Sequence, residues 1–328
     1  MAVRWEEDPE AFASSSWARL VEADPDATFF HSPRWLKLYW EEFGSGPPLI
    51  AQVESGGHEV AAAAFELASG HLTWLGGFEV TDYMGPVGPL DARVGAAKEL
   101  LASLSSRADW RDADLGGLLE DGGWLEAMTA AAGAVGLEAA VAPDGVAPLL
   151  PLPDTFDAYL EGLPSKRRHE IRRKARRLDE RYPDARLVDV TPDMLPDAMD
   201  RFVELHRSSP GQKGRFMRSG MERFFRRFAA ELVHDGTLRM SFLEAGGSRL
   251  AGAIGFRWRD RFLLYNSAFD QSHAAVSPGM VLVAELIRTA IEEGRRRFDM
   301  LKGDISYKYR FGSRPRRLAR LRLRRPES

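Results

Sequence analysis

Two stretches of the chain hold the groups best suited to chemistry. The first, Ser277-Pro278-Gly279, opens a long apolar run. A helix that starts there leaves its first amide N–H groups without internal partners. Pro278 has no N–H to offer, and Gly279 lets a ligand come close to the backbone. Gly279, Met280 and Val281 are therefore candidate donors to an anion, with Ser277 as the helix cap. A negative group at that point gains roughly 0.3–1 kcal/mol from the helix dipole. The second stretch, GDISYKYRFG (303–312), sets Asp304, Tyr307, Lys308 and Tyr309 close together. A carboxylate accepts a proton at neutral pH, and a tyrosine, with an ordinary pKa of about 10, can give one. Asp304 reads both as a base and as the N-cap of the short helix that follows. At helical spacing Tyr307 shares a face with Asp304 and Phe311, which favours it over Tyr309 as the proton donor.

These groups need a scaffold, and 328 residues are enough for two ordinary domains. With no cysteine in the chain, disulfides, thiolate metal sites and cysteine nucleophiles are excluded. No His-Glu-x-x-His, Walker or dinucleotide pattern occurs, so no metal is expected. The N-terminus, MAVRWEEDPEAF, lacks the basic-then-apolar pattern of a secretory leader, and no apolar run is long enough to span a bilayer. A soluble cytoplasmic protein without membrane contact is the expectation. Charge divides the chain: residues 1–154 hold 8 Lys/Arg against 25 Asp/Glu, and residues 155–328 hold 37 against 23. The basic half is suited to an anion, or the two halves attract each other.

Hydrophobic period and turn residues predict alternating helices and strands in both halves. Ser32-Pro33 starts a helix over 32–44, and Gly56-Gly57 joins two strands. In the second half three strands run through TLRMSFLEA, SRLAGAIGFRW and RFLLYNSAFD, followed by the helix from 277, the strand RFDML, a short helix and a last strand, RRLARLRLR. Four prolines between Pro143 and Pro153 mark a linker or an extended crossing strand. The expected domains are 1–153, acidic and without cofactor, and 154–328, basic and cofactor-binding. The fold class is α+β, each domain a mostly antiparallel twisted sheet flanked by helices.

SPGMVLVAELIRTAIEEGRRRFDMLKGDISYKYRFG resembles the C-terminal part of the CelD-type acetyltransferases, a branch of the GNAT superfamily of N-acetyltransferases. LPSKRRHEIRRKARRL is similar to the basic helix of that branch, and ATFFHSPRWLKLYWEEFG and TDYMGPVGP to its N-terminal half. The usual GNAT loop, Gln/Arg-x-x-Gly-x-Gly/Ala, is absent, and Ser-Pro-Gly stands in its place. The resemblance spans about 30–320 and implies two tandem GNAT-like domains. It also extends to the Fem-type transferases, which use aminoacyl-tRNA.

The resemblance implies acetyl-CoA or another acyl-CoA as co-substrate and an amine, small molecule or peptide, as acceptor. The pyrophosphate would lie at Ser277, Gly279, Met280 and Val281. The pantetheine arm would pair with the backbone of Asn266 to Phe269, and the amide of Ala268 or Phe269 would polarise the acyl carbonyl. Asp304 would serve as base, Tyr307 would protonate the leaving thiolate, and Lys308 would meet phosphate or substrate. Asp82 and Tyr83 in the first half, and Lys213 and Arg215 in the loop HRSSPGQKGRF, are candidate substrate contacts. Two alternatives stay open: a Fem-type transferase using tRNA, and a catalytically silent scaffold binding RNA or protein. The cluster SKRRHEIRRKARR bears on both, since a solvated face and an anion surface both fit it.

Overall fold

The computed structural model describes residues 1–326, apart from the side chains of Ala13, Ser15 and Lys213. The chain forms two compact units. Met1–Ala147 is joined by the chain from Arg316, and Pro148–Pro315 makes the second. The last strand thus packs with residues of the first half, a return that no local pattern in RRLARLRLR encodes.

Unit 1 contains β1 (Ala2–Glu6), α1 (Ser15–Ala23), α2 (Pro33–Phe43), β2 (Leu49–Ser55), β3 (His58–Ala68), β4 (His71–Trp74), α3 (Arg93–Ser106), β5 (Asp112–Leu119), α4 (Trp124–Ala134) and most of β6 (Glu138–Pro151). Its sheet runs β1-β2-β3-β4-β5, followed by the chain's last strand and β6. Ser32 caps α2 by accepting the Trp35 amide, as its sequence position predicts. The proline-rich segment expected as linker or crossing strand is largely the second half of β6, whose last residues pair with a strand of unit 2. Trp74, Trp110, Leu100, Leu104, Leu115 and Met128 form the centre of the unit 1 core.

Unit 2 contains α5 (Phe156–Gly162), α6 (Ser165–Arg181), β7 (Arg186–Asp189), α7 (Leu195–Arg207), α8 (Gln212–Phe216), α9 (Ser219–Leu232), β8 (Leu238–Ala245), β9 (Ser248–Trp258), β10 (Arg261–Phe269), α10 (Pro278–Glu292), β11 (Arg297–Asp299), α11 (Ser306–Arg310) and the start of β12 (Arg314–Arg324). The sheet order is β6-β11-β10-β9-β8-β7, antiparallel except for β10 with β11. Gly246-Gly247 takes the positive φ that the β8–β9 turn requires, and no side chain could follow it without strain. One face of α10, with Leu282, Leu286, Ile287 and Ala290, packs on the sheet against Leu250, Phe262 and Phe298. The basic helix α6 is docked by Ile171 and Leu178 and leaves most of its cations on the exposed face.

Candidate active site

The site begins where two strands part. β10 and β11 run parallel and pair at Arg261 with Arg297, Phe262 with Phe298 and Leu263 with Asp299. There β11 stops. β10 continues to Phe269, held on its other side by β9, with a bulge between Leu264 and Asn266. A bulge of this kind bends the strand and sharpens its twist. The backbone of Asn266–Phe269 therefore has one edge that no strand covers among the described residues.

The start of α10 lies on the end of that stretch. A Cβ added to Gly279 would come within 3.1 Å of the Phe269 ring. Three expectations for this turn need correction. Ser277 precedes the helix but does not cap it. It adopts φ 53°, ψ 50°, and in that left-handed conformation its hydroxyl makes no capping bond. Val281 is one residue too deep to be an orphan, since its amide reaches the Ser277 carbonyl at 3.3 Å. Met280 bonds the same carbonyl at 3.0 Å. The Gly279 amide is left without a protein acceptor among the described residues, and a capping hydroxyl that would have competed for it is turned away.

The short helix α11 sends three successive residues in three directions, about 100° apart. Tyr307 points to the sheet, where its hydroxyl is hydrogen-bonded to Ser267 in the uncovered stretch of β10. Burial pushes its pKa above the ordinary tyrosine value, and the Ser267 bond partly opposes that. Tyr309 points outward and donates to Asp304 at 2.6 Å, and the carboxylate beside it pushes the phenol up to about 12. Helical spacing had paired Asp304 with Tyr307. The pairing moves to Tyr309 because α11 starts only at Ser306, so Asp304 lies outside the helical register. For the same reason Asp304 is not its cap: Ile305 holds that position, without a side-chain bond.

Lys308 points inward, and its expected contact with phosphate or substrate is corrected. The residue is 4% exposed. Its ammonium donates to the Leu301 carbonyl at 2.8 Å and the Lys302 carbonyl at 2.9 Å. These carbonyls belong to the turn that ends β11, where Leu301 has φ 55° and Gly303 φ 124°. The fully buried Asp299 accepts the Leu301 amide at 2.8 Å. Sequence reasoning missed Ser267 and Asp299. The signal for Asp299 was a lone carboxylate inside the apolar run RFDML; for Ser267 there was none.

The candidate substrate contacts stand on other elements. Arg215 is exposed on α8, and the Lys213 side chain lies outside the described residues. Asp82 and Tyr83 belong to unit 1. Tyr83 is 1% exposed and borders two small cavities, one of ≈ 30 Å³ with Asp24, Asp26 and Trp124 and one of ≈ 10 Å³. Such spaces suit a water or two, and burial removes Tyr83 from contact with a substrate.

A strand that leaves its parallel neighbour, crossed at its end by the start of a helix, defines the class of protein: this is a GNAT fold, built here in tandem. Residues 165–309 match the family model described as an acetyltransferase (GNAT) domain. FemX is similar in structure, with a TM-score of 0.69 at 12% identity over 98% of this chain and 97% of that one. L-PGS from Bacillus licheniformis gives 0.60 at 15% identity, over 98% and 94%. A tandem GNAT protein from the clavulanic acid biosynthesis pathway gives 0.53 at 14% identity, over 99% and 100%. At these identities the likenesses speak for the fold. No curated protein sequence matches the chain.

Proposed function

We propose that this protein is an N-acyltransferase that moves an acyl group, acetyl in the simplest case, from coenzyme A to an amine by direct attack. The observation that carries the reading is the uncovered edge of β10 from Asn266 to Phe269, ending beneath Gly279. The available Gly279 amide fits one phosphate of a diphosphate, and the free strand edge fits an amide-bearing arm that pairs as a strand would. Coenzyme A would supply the activated acyl thioester.

The residues then divide the work. The Ala268 or Phe269 amide polarises the acyl carbonyl. An unperturbed alkylamine costs roughly 4.6 kcal/mol to deprotonate at pH 7. Asp304, which is exposed and accepts from Tyr309, would take that proton. The amine nitrogen bonds to the acyl carbon as the carbon–sulfur bond breaks, and the Tyr307 hydroxyl gives its proton to sulfur. Burial keeps Tyr307 protonated through neutral pH, as a donor must be. The acceptor is a small molecule or peptide amine, met in the cytoplasm; no helix of the described residues is long and apolar enough to cross a membrane.

A second reading, transfer from aminoacyl-tRNA, is favoured by one observation. Lys166, Arg172 and Arg173 on α6 are exposed and have no protein partner among the described residues. A third is a silent scaffold that binds RNA or protein. Calorimetric titration with acetyl-CoA separates them. Micromolar binding, lost in Gly279→Val, supports the acyltransferase. No acetyl-CoA binding, together with tRNA retention that falls steeply with salt, sinks it.

A further inference from the structure

We infer that Lys308 is a positioning residue, whose buried ammonium fixes the turn that opens the gap between β10 and β11 and so sets the Tyr307 hydroxyl on Ser267. The inference deepens the acyltransferase reading and rests on it for its catalytic meaning, though not for its geometry.

The turn Met300–Gly303 is where β11 leaves its partner. Its backbone is unusual: Leu301, a branched side chain, sits at φ 55°, and Gly303 at φ 124°. A leucine held there persists only where the surroundings over-determine it. Two groups do so. Asp299 receives the Leu301 amide from inside the strand, and Lys308 holds the next two carbonyls from the far side. The fit is close, since a Cβ on Gly303 would stand 3.3 Å from the Lys308 nitrogen.

The same lysine belongs to α11, so the clamp also locates the helix. Its carbonyl accepts the Ser313 hydroxyl at 2.7 Å, and its amide reaches Ile305 at 3.0 Å. Tyr307 is the preceding residue. With one neighbour fixed at both main chain and side chain, the tyrosine has little freedom to leave Ser267. Burying an ammonium for hydrophobic packing alone would be costly; among its contacts this one holds two carbonyls of the turn at which two strands separate.

The test uses the full chain labelled with 3-fluorotyrosine. The fluorine resonance of Tyr307 is assigned by its absence in Tyr307→Phe. Lys308→Met is expected to shift and broaden that line, and to weaken acetyl-CoA binding at least tenfold by calorimetry. Lys308→Arg, which keeps charge and donors on a longer arm, is expected to give an intermediate displacement. A folded Lys308→Met protein with the Tyr307 line unmoved overturns the inference. If Lys308→Met does not fold, a Lys308→Arg protein with wild-type line and affinity overturns it instead. If the line moves as expected while the wild type binds no acetyl-CoA, the positioning role stands and the acyltransferase reading falls.

Discussion

The two units contain the same strand arrangement and use it differently. In unit 1, β4 meets β5 in parallel at His71 with Asp112, Leu72 with Ala113 and Thr73 with Asp114. In unit 2, β10 meets β11 over an equally short register. β4 then stops at Trp74, which stacks on Phe65 at 4.8 Å, and Leu75 bonds back to Ala64 of β3. β10 runs on to Phe269 with its edge uncovered. The following helices differ in the same sense. α10 starts Pro278-Gly279, whereas α3 starts Arg93-Val94. Arg93 is buried between carboxylates, 2.7 Å from Asp24 and 3.0 Å from Asp26, and Arg316 reaches Asp26 at 2.8 Å. Unit 1 has filled the position with its own ion pairs, and unit 2 keeps it available.

The largest expected effect tests the closed unit. Arg93→Ala removes the cation beside Asp24, whose side chain is 3% exposed, and should destabilise the protein by about 3–5 kcal/mol in denaturant unfolding. Acetyl-CoA affinity of the folded variant should not change; if it falls with stability, the division of labour between units is broken. Tyr307→Phe should lower the rate of acyl transfer about 100-fold, the lower end of general acid catalysis, with acetyl-CoA affinity kept. An unchanged rate would move the proton donor elsewhere. Gly279→Val should weaken acetyl-CoA binding tenfold or more, since even its Cβ would press on Phe269. The matching change in unit 1, Val94→Gly, alters an exposed residue and should leave binding as it was.

The smallest effect is pH-dependent. Tyr309 is raised to about 12 by its bond to Asp304, so it loses its proton later when folded than when unfolded. Its contribution is complete below the unfolded value of about 10 and is lost as pH rises toward 12. The stability difference between wild type and Tyr309→Phe should be constant from pH 7 to about 10 and shrink above it. A difference that already varies near neutrality would place the Asp304 bond on another group.

Much of the scaffold was legible because it is locally encoded. Ser32-Pro33 started a helix, Gly56-Gly57 and Gly246-Gly247 turned hairpins, and the apolar period of 278–292 gave a helix with one buried face. The resemblance pointed to β10, α10 and α11 for the candidate site. Two side chains went elsewhere than spacing suggested, although their partners lie only five to seven residues away, because the turn after β11 and the late start of α11 set their direction: Lys308 turned in to that turn, and Asp304 passed from Tyr307 to Tyr309.

By itself, then, the sequence determined most of the order of elements, the absence of cysteine chemistry and the glycine at the head of α10. These follow from periodicity, composition and backbone freedom, which act within a few residues. The tertiary structure decided where β10 leaves β11, which amide at the start of α10 stays available, and which unit takes the last strand. The first and last depend on pairing between segments far apart in the chain, and the second on the left-handed conformation of Ser277, which no residue pattern marks in advance.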